Sequence, residues 1–315
     1  MKQKTAAFLP FILLLTFTVF PRDEKNTFQD LQGPYLGQKA PVENSEVFLD
    51  GVISTLEEPE MNAAFTQDGK EFYYCTLYKS KWAIFVTREV NGKWTKPVPM
   101  GFTSDYIDRD FTMSPDGKRI YFGSNRPTKK GTGMQKSLDI FVTERLSSGQ
   151  WSEPKSIGAP INTHYGENYP CVASNGNLYF FSCREDGPGG CDIYMAKLVN
   201  GSYTIPVNLS SAINSEKHDW DAYIAPDESY IIFSSQNRSD TIGEQDLYIS
   251  FRKKDESWTN AKNMGPSVNS RSDEICPSVS LDGKYFFFTS RRRGNADIFW
   301  ITTDVIERLK QNQSF

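Results

Sequence analysis

A short segment built around a tight turn recurs five times along the chain, and this repetition constrains the fold more than any other feature of the sequence. The clearest copy is SPDGKRIYFGSNR at residues 114–126, in which a Pro-Asp-Gly turn precedes a strand-like apolar run. Successive turns are 48 to 59 residues apart. This period suits the blades of a β-propeller and is long for a solenoid. The turns are Asp68-Gly69, Asp116-Gly117, Asn175-Gly176, Asp227-Glu228 and Asp282-Gly283.

Four strand-like pieces recur in order within each copy. In the second copy, FTMS precedes the turn, RIYFGS follows it and DIFVT comes third. Four short strands joined by tight turns predict one antiparallel sheet. Because such a sheet has two apolar faces, neighbouring copies must cover it on both sides, and we expect them to stack into a closed ring. The fourth piece starts after a second turn with an aromatic residue: Trp94, Trp151, Tyr203 and Trp258.

The fifth copy lacks a fourth piece, and the N-terminal segment 27–59 contains no complete copy. We therefore expect that segment to supply the missing strand, from Val47-Phe48-Leu49 or Gly51-Val52-Ile53. The prediction is an all-β, five-bladed β-propeller over residues 60–302, followed by a tail at 303–315. A six-bladed ring is the alternative, although the N-terminal segment offers few residues for four further strands.

The order of these motifs resembles the WD40-like propeller repeats with a Pro-Asp-Gly turn that occur in TolB-type periplasmic proteins. The resemblance rests on SPDGKRIYFGSNR followed by SLDIFVTE, and on partial copies of both, across residues 60–302. It implies the propeller fold, whereas it implies no particular function, because many unrelated proteins carry this repeat. TolB-type proteins have an additional N-terminal domain, for which this chain offers no room, so we do not expect their transport role.

The chain begins with a sequence typical of an export signal. Lys2 and Lys4 precede an apolar run from Ala6 to Phe20, which is short for a membrane span. We interpret residues 1–26 as a cleaved signal peptide, with a retained membrane anchor as the alternative, and expect a periplasmic or secreted protein. With 35 basic and 39 acidic residues and no clustered basic stretch, the sequence gives no indication of nucleic-acid binding.

Five cysteines are present, and two of them flank one short loop. Export permits disulfide formation, and Cys183 and Cys191 are close enough in sequence to bridge that loop. The favoured interpretation is nevertheless that all five are small buried residues, with the bridge as the alternative.

An arginine closes the second piece and an aspartate opens the third in four of the five copies. The first copy has neither, and Ala83 stands at the aspartate position. Because the two are lost together, we expect the arginine and aspartate of each copy to form an ion pair that pins the intervening loop. The expected pairs are Arg126 with Asp139, Arg184 with Asp192, Arg238 with Asp246, and Arg292 with Asp297.

An acidic residue stands eight positions before the turn in every copy. One interpretation is that these acids accept hydrogen bonds from backbone N–H groups between blades. The other is a polar ring at the channel mouth that binds Ca²⁺, a cationic ligand or a sugar; no other cofactor is expected. Two histidines, His164 and His218, fall in the same links, where solvated side chains are the usual outcome. The acids are Glu60, Asp108, Glu167, Asp219 and Glu274, with Asp110 and Asp221 two residues later in two copies.

Two classes of function remain open. The sequence has no Gly-x-Ser-x-Gly elbow, no His-Glu-x-x-His and no phosphate-binding glycine loop. A glycoside hydrolase or lyase could use Asp108, Glu167 and Asp219, but acids that recur at one position in every copy indicate architecture rather than a tuned catalytic pair. The favoured interpretation is an exported, non-catalytic scaffold that binds an envelope protein, a peptide or a glycan. The membrane is expected as a partner only through a retained anchor.

Overall fold

The computed structural model describes residues 28, 31–103, 105–128 and 133–311. Within them the chain forms five antiparallel sheets arranged as a five-bladed β-propeller, as predicted. Residues 1–26, interpreted as a leader, lie outside the described residues. No helix within the described ranges has the length and apolar character needed to cross a membrane.

The strands follow one another blade by blade. A 3₁₀ turn at Pro34–Gly37 and strand β1 (Glu46–Val47) come first. Blade one contains β2 (Met61–Phe65), β3 (Glu71–Tyr78), β4 (Lys81–Val90), the short β5 (Lys93–Trp94) and β6 (Val98–Pro99). Blade two contains β7 (Asp108–Met113), β8 (Arg119–Ser124), β9 (Asp139–Glu144) and β10 (Lys155–Ser156). Blade three contains β11 (Glu167–Val172), β12 (Leu178–Ser182), β13 (Asp192–Ala196) and β16 (Val207–Asn208).

Blade three carries an additional hairpin, and the remaining blades complete the ring. The hairpin consists of β14 (Leu198–Val199) and β15 (Ser202–Tyr203). Blade four contains β17 (Asp219–Ile224), β18 (Tyr230–Gln236), β19 (Gln245–Phe251) and β20 (Lys262–Asn263). Blade five contains β21 (Glu274–Val279), β22 (Tyr285–Ser290), β23 (Asp297–Thr302) and, at its outer edge, β1. The first strand of every blade contacts the first strands of both neighbours, so the ring is closed around a channel.

The Asp-Gly turns form because the aspartate side chain replaces missing backbone contacts. Asp116 accepts hydrogen bonds from Ser114 Oγ at 2.6 Å and from the Lys118 N–H at 3.1 Å. Gly117 follows with a φ of 67°, a conformation that glycine adopts without a steric penalty. The same carboxylate contacts recur at Asp68 and Asp282. The repeated motif therefore fixes the same reversal between the first and second strands.

Closure of the ring uses the N-terminal segment, as expected. Val47 pairs with Phe299 across antiparallel strands β1 and β23. Phe48 is fully buried and packs edge-on against Trp300 and Phe287 of blade five. One apolar cluster lies at each interface between neighbouring blades, and the cluster at this seam joins blade five to blade one. Burial of aromatic surface thus holds the seam alongside the short strand pair.

Two details differ from the sequence prediction. In blades one to four, the fourth strand lies beyond the predicted aromatic residue, which sits in a hairpin instead. Trp94, for example, donates from Nε1 to the Gly33 carbonyl at 3.0 Å. The C-terminal tail contains a helix, α1 (Asp304–Gln311), rather than an irregular segment. Val305 and Ile306 of this helix are buried against the cluster between blades four and five.

Candidate functional site at the channel mouth

The arginine that closes the second piece of a copy pairs with the acid that opens the inner strand of the same blade. This observation corrects the predicted pairing. The Arg126 guanidinium lies 2.5 Å from Asp108 Oδ2, and the corresponding arginine–acid contacts in blades three to five measure 2.7 to 3.2 Å. All four acids are fully buried, so each guanidinium neutralises a carboxylate that would otherwise be costly. The observed pairs are Arg126 with Asp108, Arg184 with Glu167, Arg238 with Asp219, and Arg292 with Glu274.

The same acids also accept hydrogen bonds from the links between blades. Glu167 accepts from the Thr163 N–H at 2.7 Å and from Thr163 Oγ1 at 2.5 Å. Asp219 and Glu274 accept equivalent bonds from Ser215 and Ser270. These contacts support the interpretation of the acids as backbone acceptors. A free ring of carboxylates at the mouth is not present at these positions.

Two of the aspartates that open the third strands accept hydrogen bonds from the loop before them and do not pair with the arginines. Asp246 accepts from the N–H groups of Ile242 at 2.6 Å and Gly243 at 3.0 Å, and Asp192 accepts from the Gly189 N–H at 3.2 Å. In blade one this loop is reduced to a two-residue turn at Lys79-Ser80, both with positive φ. Blade one therefore lacks both the arginine and the aspartate because it lacks the loop that lies between them in the other blades.

Two of these aspartates have other surroundings. The nearest cation to Asp297 is Arg293, whose Nε lies 3.6 Å from Oδ2, instead of Arg292. Burial, together with the charge of Glu167, raises the pKa of Asp139 to about 6. Neither aspartate forms the predicted pair.

Blade one provides the exception to the ion-paired pattern. Glu60 is buried and accepts hydrogen bonds from Thr55 N–H and Oγ1, both at 3.0 Å. Tyr78 occupies the position that corresponds to the arginine of the other blades. Burial without a guanidinium raises the pKa of Glu60 to about 8, so this carboxyl is mostly protonated at neutral pH.

A set of five residues closes the channel, and two of them, Asp110 and Asp221, are among the acids singled out in the sequence. Each inner strand contains a β-bulge two residues after its acid, and the bulged residue has a positive φ without being glycine. Tyr169 reaches across the ring from blade three and donates to the Pro277 carbonyl of blade five at 2.7 Å. We call these five buried residues the channel plug: Asn62, Asp110, Tyr169, Asp221 and Cys276.

The channel plug contains two carboxyl groups with raised pKa values. Burial, followed by the charge of Asp110, raises the pKa of Asp221 to about 7. Burial also raises the pKa of Asp110, while Arg109, whose Nε lies 3.3 Å from Asp110 Oδ2, opposes that rise. Because one arginine faces two carboxyl groups, the plug favours a state in which one of them carries a proton.

The residue between acid and bulge occupies an equivalent position in each inner strand, on the acid side of the plug. We call this set the mouth ring: Met61, Arg109, Asn168, Trp220 and Ile275. Met61 is buried, and the other four are partly exposed. The Trp220 ring stacks on His218, with centroids 4.9 Å apart and planes inclined by 7°. His164 lies against Tyr165 in the preceding link. The mouth therefore offers an aromatic face, an amide, a guanidinium and an aliphatic side chain.

Link asparagines form a second repeated contact that the sequence analysis missed. Asn214 Oδ1 accepts from the Ile193 N–H, and Nδ2 donates to the Ile193 carbonyl, both at 2.9 Å. Asn162 and Asn269 make the same pair of bonds in their blades. The signal was present, because an asparagine followed by serine or threonine stands five residues before the acid in three copies.

The cysteines follow the alternative that the loop spacing suggested, and not the favoured interpretation. Cys183 and Cys191 form a disulfide. Cys75, Cys171 and Cys276 are buried free thiols, and burial raises the pKa of all three, which keeps them protonated and unreactive. No group of three or more histidine, cysteine or acidic side chains within the described ranges has the geometry of a metal site.

No protein-family model and no curated protein matches this sequence. Solved structures do match the fold. A glycoside hydrolase aligns with 84% of this chain and 92% of its own, with a TM-score of 0.56 and 11% identity. A native arabinanase from Bacillus subtilis aligns with 79% of this chain and 95% of its own, with a TM-score of 0.50 and 12% identity.

A TolB from Acinetobacter baumannii aligns with 78% of this chain, with a TM-score of 0.47 and 15% identity. This chain spans 54% of that TolB chain, about half of its length. At such identities the likeness shows the fold alone. This chain therefore shares a β-propeller architecture with these proteins.

Proposed function

We propose that this protein is an exported, non-catalytic β-propeller that binds a protein, a peptide or a glycan of the cell envelope at the mouth of its channel. The observation that carries the proposal is the channel plug. Because Tyr169 crosses the channel directly beneath the mouth ring, a ligand meets a closed floor. Asp108, Glu167 and Asp219, the acids considered for catalysis, are buried in ion pairs. A rigid rim of mixed chemistry above a closed floor is suited to binding.

Trp220 is the expected anchor of the mouth. Its indole ring is held flat against His218 and remains partly exposed. An immobilised aromatic ring offers contact area at a low entropic cost, and an apolar side chain or a sugar face can lie on it. Arg109 and Asn168 supply hydrogen-bond donors beside it.

A paired screen tests this proposal. Purified wild-type protein and Trp220→Ala are applied to a glycan array and to a phage-displayed library of random peptides. We expect ligands selected on the wild type to bind Trp220→Ala about tenfold or more weakly, as for loss of an interface hot spot. Leu146→Ala, which shortens an exposed side chain in the outer hairpin of blade two, is the control. If both proteins enrich the same ligands and bind all of them equally tightly, the mouth is not a binding site.

A carbohydrate-active enzyme is the second candidate, and Asp110 and Asp221 are the observation that favours it. Two carboxyl groups with raised pKa values in a channel are the kind of pair that acid–base catalysis uses. Both, however, are at least 92% buried beneath the mouth ring, since 5% and 8% of their surfaces are exposed. Release of reducing sugar from polysaccharides, abolished in both Asp110→Asn and Asp221→Asn, would establish this alternative and overturn the scaffold.

Calcium binding in the channel remains a proposal for the same two carboxyl groups. The ring acids have little oxygen capacity left for a metal, because arginine, serine and backbone donors use it. Metal analysis of the purified protein, and the thermal midpoint with calcium or chelator, test this point. A midpoint and metal content that do not respond to calcium would remove it.

Export is proposed from the leader-like residues 1–26. Fractionation of expressing cells tests it, with a matched chain that lacks this segment as the control. Recovery of both chains in the cytoplasm would contradict export.

A further inference from the structure

The outer edge of blade three exposes more large apolar side chains over a short stretch than any comparable described edge. Leu198, Val199, Ile205 and Val207 are 39%, 50%, 78% and 53% exposed, respectively. We call these four residues the edge patch. Isolated exposed apolar side chains are normal on protein surfaces, whereas a contiguous stretch of them indicates a contact surface.

The other blades show that the fold does not require apolar residues at these positions. Pairing across the strands makes Leu198 equivalent to Arg145 of blade two and Arg252 of blade four. In those blades the arginine lies over a tryptophan, at 5.6 and 5.1 Å from its ring centroid. By the same register Val207 corresponds to Lys155 and Lys262 of blades two and four, and to Val98 of blade one.

The residues that correspond to Ile205 in blades one, two and four are polar. The residues at the corresponding place are Lys96, Glu153 and Asn260. Blade three alone among these blades has lost the charge at all three positions. Because charged outer strands protect a sheet edge from other chains, this edge has lost that protection.

A cleft opens beside the edge patch. It has a volume of about 330 Å³ and lies between the turns of blades two and three. Leu198 and Tyr203 form one wall, and Pro115, Tyr121 and Val172 contribute to the others. Arg119 and Asp116 are the charged residues in its lining, and both have partners: Arg119 pairs with Glu144, and Asp116 accepts from Ser114 and Lys118.

The equivalent cleft between blades one and two has many more charged residues in its lining. Its volume is about 400 Å³, and charged residues line most of it. They are Asp68, Lys70, Glu71, Arg88, Glu89, Asp116 and Arg145. The scarcity of charged residues is therefore a property of the blade-three cleft and not of the fold.

We propose that the edge patch and its cleft bind a short extended segment of a partner protein, with one large apolar side chain of that segment inserted into the cleft against the wall formed by Leu198 and Tyr203. The size of the surface argues for a segment rather than a second copy of this chain. Four partly exposed side chains supply a few hundred Å². A stable dimer buries about 800 Å² on each partner. The cleft volume suits one or two side chains and lies at the lower limit for a small-molecule pocket.

Peptide binding tests this inference independently of the mouth. Random peptides displayed on phage are selected on the full chain that carries Trp220→Ala, so that ligands anchored at the mouth are not enriched, and the enriched peptides are synthesised. We expect them to share a large apolar residue and to bind Leu198→Arg and Ile205→Lys about tenfold or more weakly than the wild type. Leu198→Arg installs the side chain that blades two and four carry at this position, so we expect an unchanged thermal midpoint.

Two controls separate this site from others. Val90→Lys changes an exposed valine, 52% exposed, in the corresponding hairpin of blade one and should leave peptide affinity unchanged. Trp220→Ala alters the mouth ring and should also leave it unchanged. Failure to enrich any peptide, or equal affinity for wild type and Leu198→Arg, would overturn the inference. Concentration-dependent dimerisation that Ile205→Lys abolishes would also overturn it, in favour of a self-association surface.

Discussion

Blade one and the other four blades solve the same electrostatic problem in different ways. All five begin with a buried acid, and in four of them an arginine pairs with it, whereas blade one has Tyr78 at the equivalent position of the chain and Glu60 bonds to Thr55. The arginine-containing blades keep a charged pair, and blade one keeps a carboxyl group whose pKa rises to about 8. The comparison teaches that the fold requires a hydrogen-bond acceptor at this position and that charge is optional. What decides between the two is the loop that carries the arginine.

The largest expected effect comes from removal of one arginine. In Arg238→Met, Asp219 stays fully buried without the guanidinium that lies 2.7 Å away. Breaking such a pair costs about 3–5 kcal/mol, because the remaining charge has lost its compensation. The free energy of unfolding in urea measures this loss. Tyr78→Met changes the equivalent residue of blade one, where we expect a change within about 0.5 kcal/mol. Similar small losses in both variants would refute the distinction between the blades.

The second prediction concerns pH. The pKa of Glu60 is raised to about 8 in the folded protein from an ordinary value of 4.5. The folded state therefore binds a proton that the unfolded state has released between about pH 5 and 8. Glu60 thus contributes a loss of stability as pH rises through that window, of at most about 1.4 kcal/mol per unit. We expect Glu60→Gln to flatten the dependence of unfolding free energy on pH, relative to wild type.

Tyr78→Arg sharpens the same test. A guanidinium within reach of Glu60 would lower its pKa and remove the same part of the slope while the carboxyl group remains. Measurement of the unfolding free energy at pH 6, 7 and 8 for the three proteins distinguishes these outcomes. A wild type and a Glu60→Gln variant with parallel pH dependences would exclude a protonated Glu60.

The smallest effect is expected within blade three. Asp192 accepts one hydrogen bond from the Gly189 N–H, and burial raises its pKa, so a neutral amide replaces it at little cost. We expect Asp192→Asn to change the unfolding free energy by about 1 kcal/mol or less. Glu167→Gln, which leaves Arg184 without its carboxylate, should cost more. A larger loss for Asp192→Asn, measured by urea unfolding, would restore the pairing that the sequence suggested.

The fold was predictable because its signals are local and repeated. Asp116 makes its turn with residues two positions away, and the same chemistry recurs in register along the chain. Strand number and the origin of the closing strand followed from counting the pieces. Helix α1 was missed, because its two buried residues, Val305 and Ile306, are too few to establish a helical period.

The site was less predictable for physical reasons. The joint loss of an arginine and an aspartate in blade one was compatible with a direct contact, although both depend on the same loop. Asp110 and Asp221 were recognised only as acids of the mouth, and Tyr169 was not recognised at all, because a β-bulge shifts the alternation of a strand. A bulge at non-glycine residues leaves no compositional mark in the sequence.

The seam in blade five has a mechanical consequence. Strand β1 has only two residues, Glu46 and Val47, which pair with β23 near the end of the propeller. Hydrogen bonds of Pro41, Phe48 and Ser54 to β23 add to this short pairing. The strands of every other blade are continuous along the chain. Blade five is the one described sheet whose strands come from both ends of the propeller, so the ring can open there by separation of β1 from β23. Under mechanical load, or early in unfolding, we expect β1 to separate from β23 first. The slow step should be the removal of Phe48 from its contacts with Phe287 and Trp300.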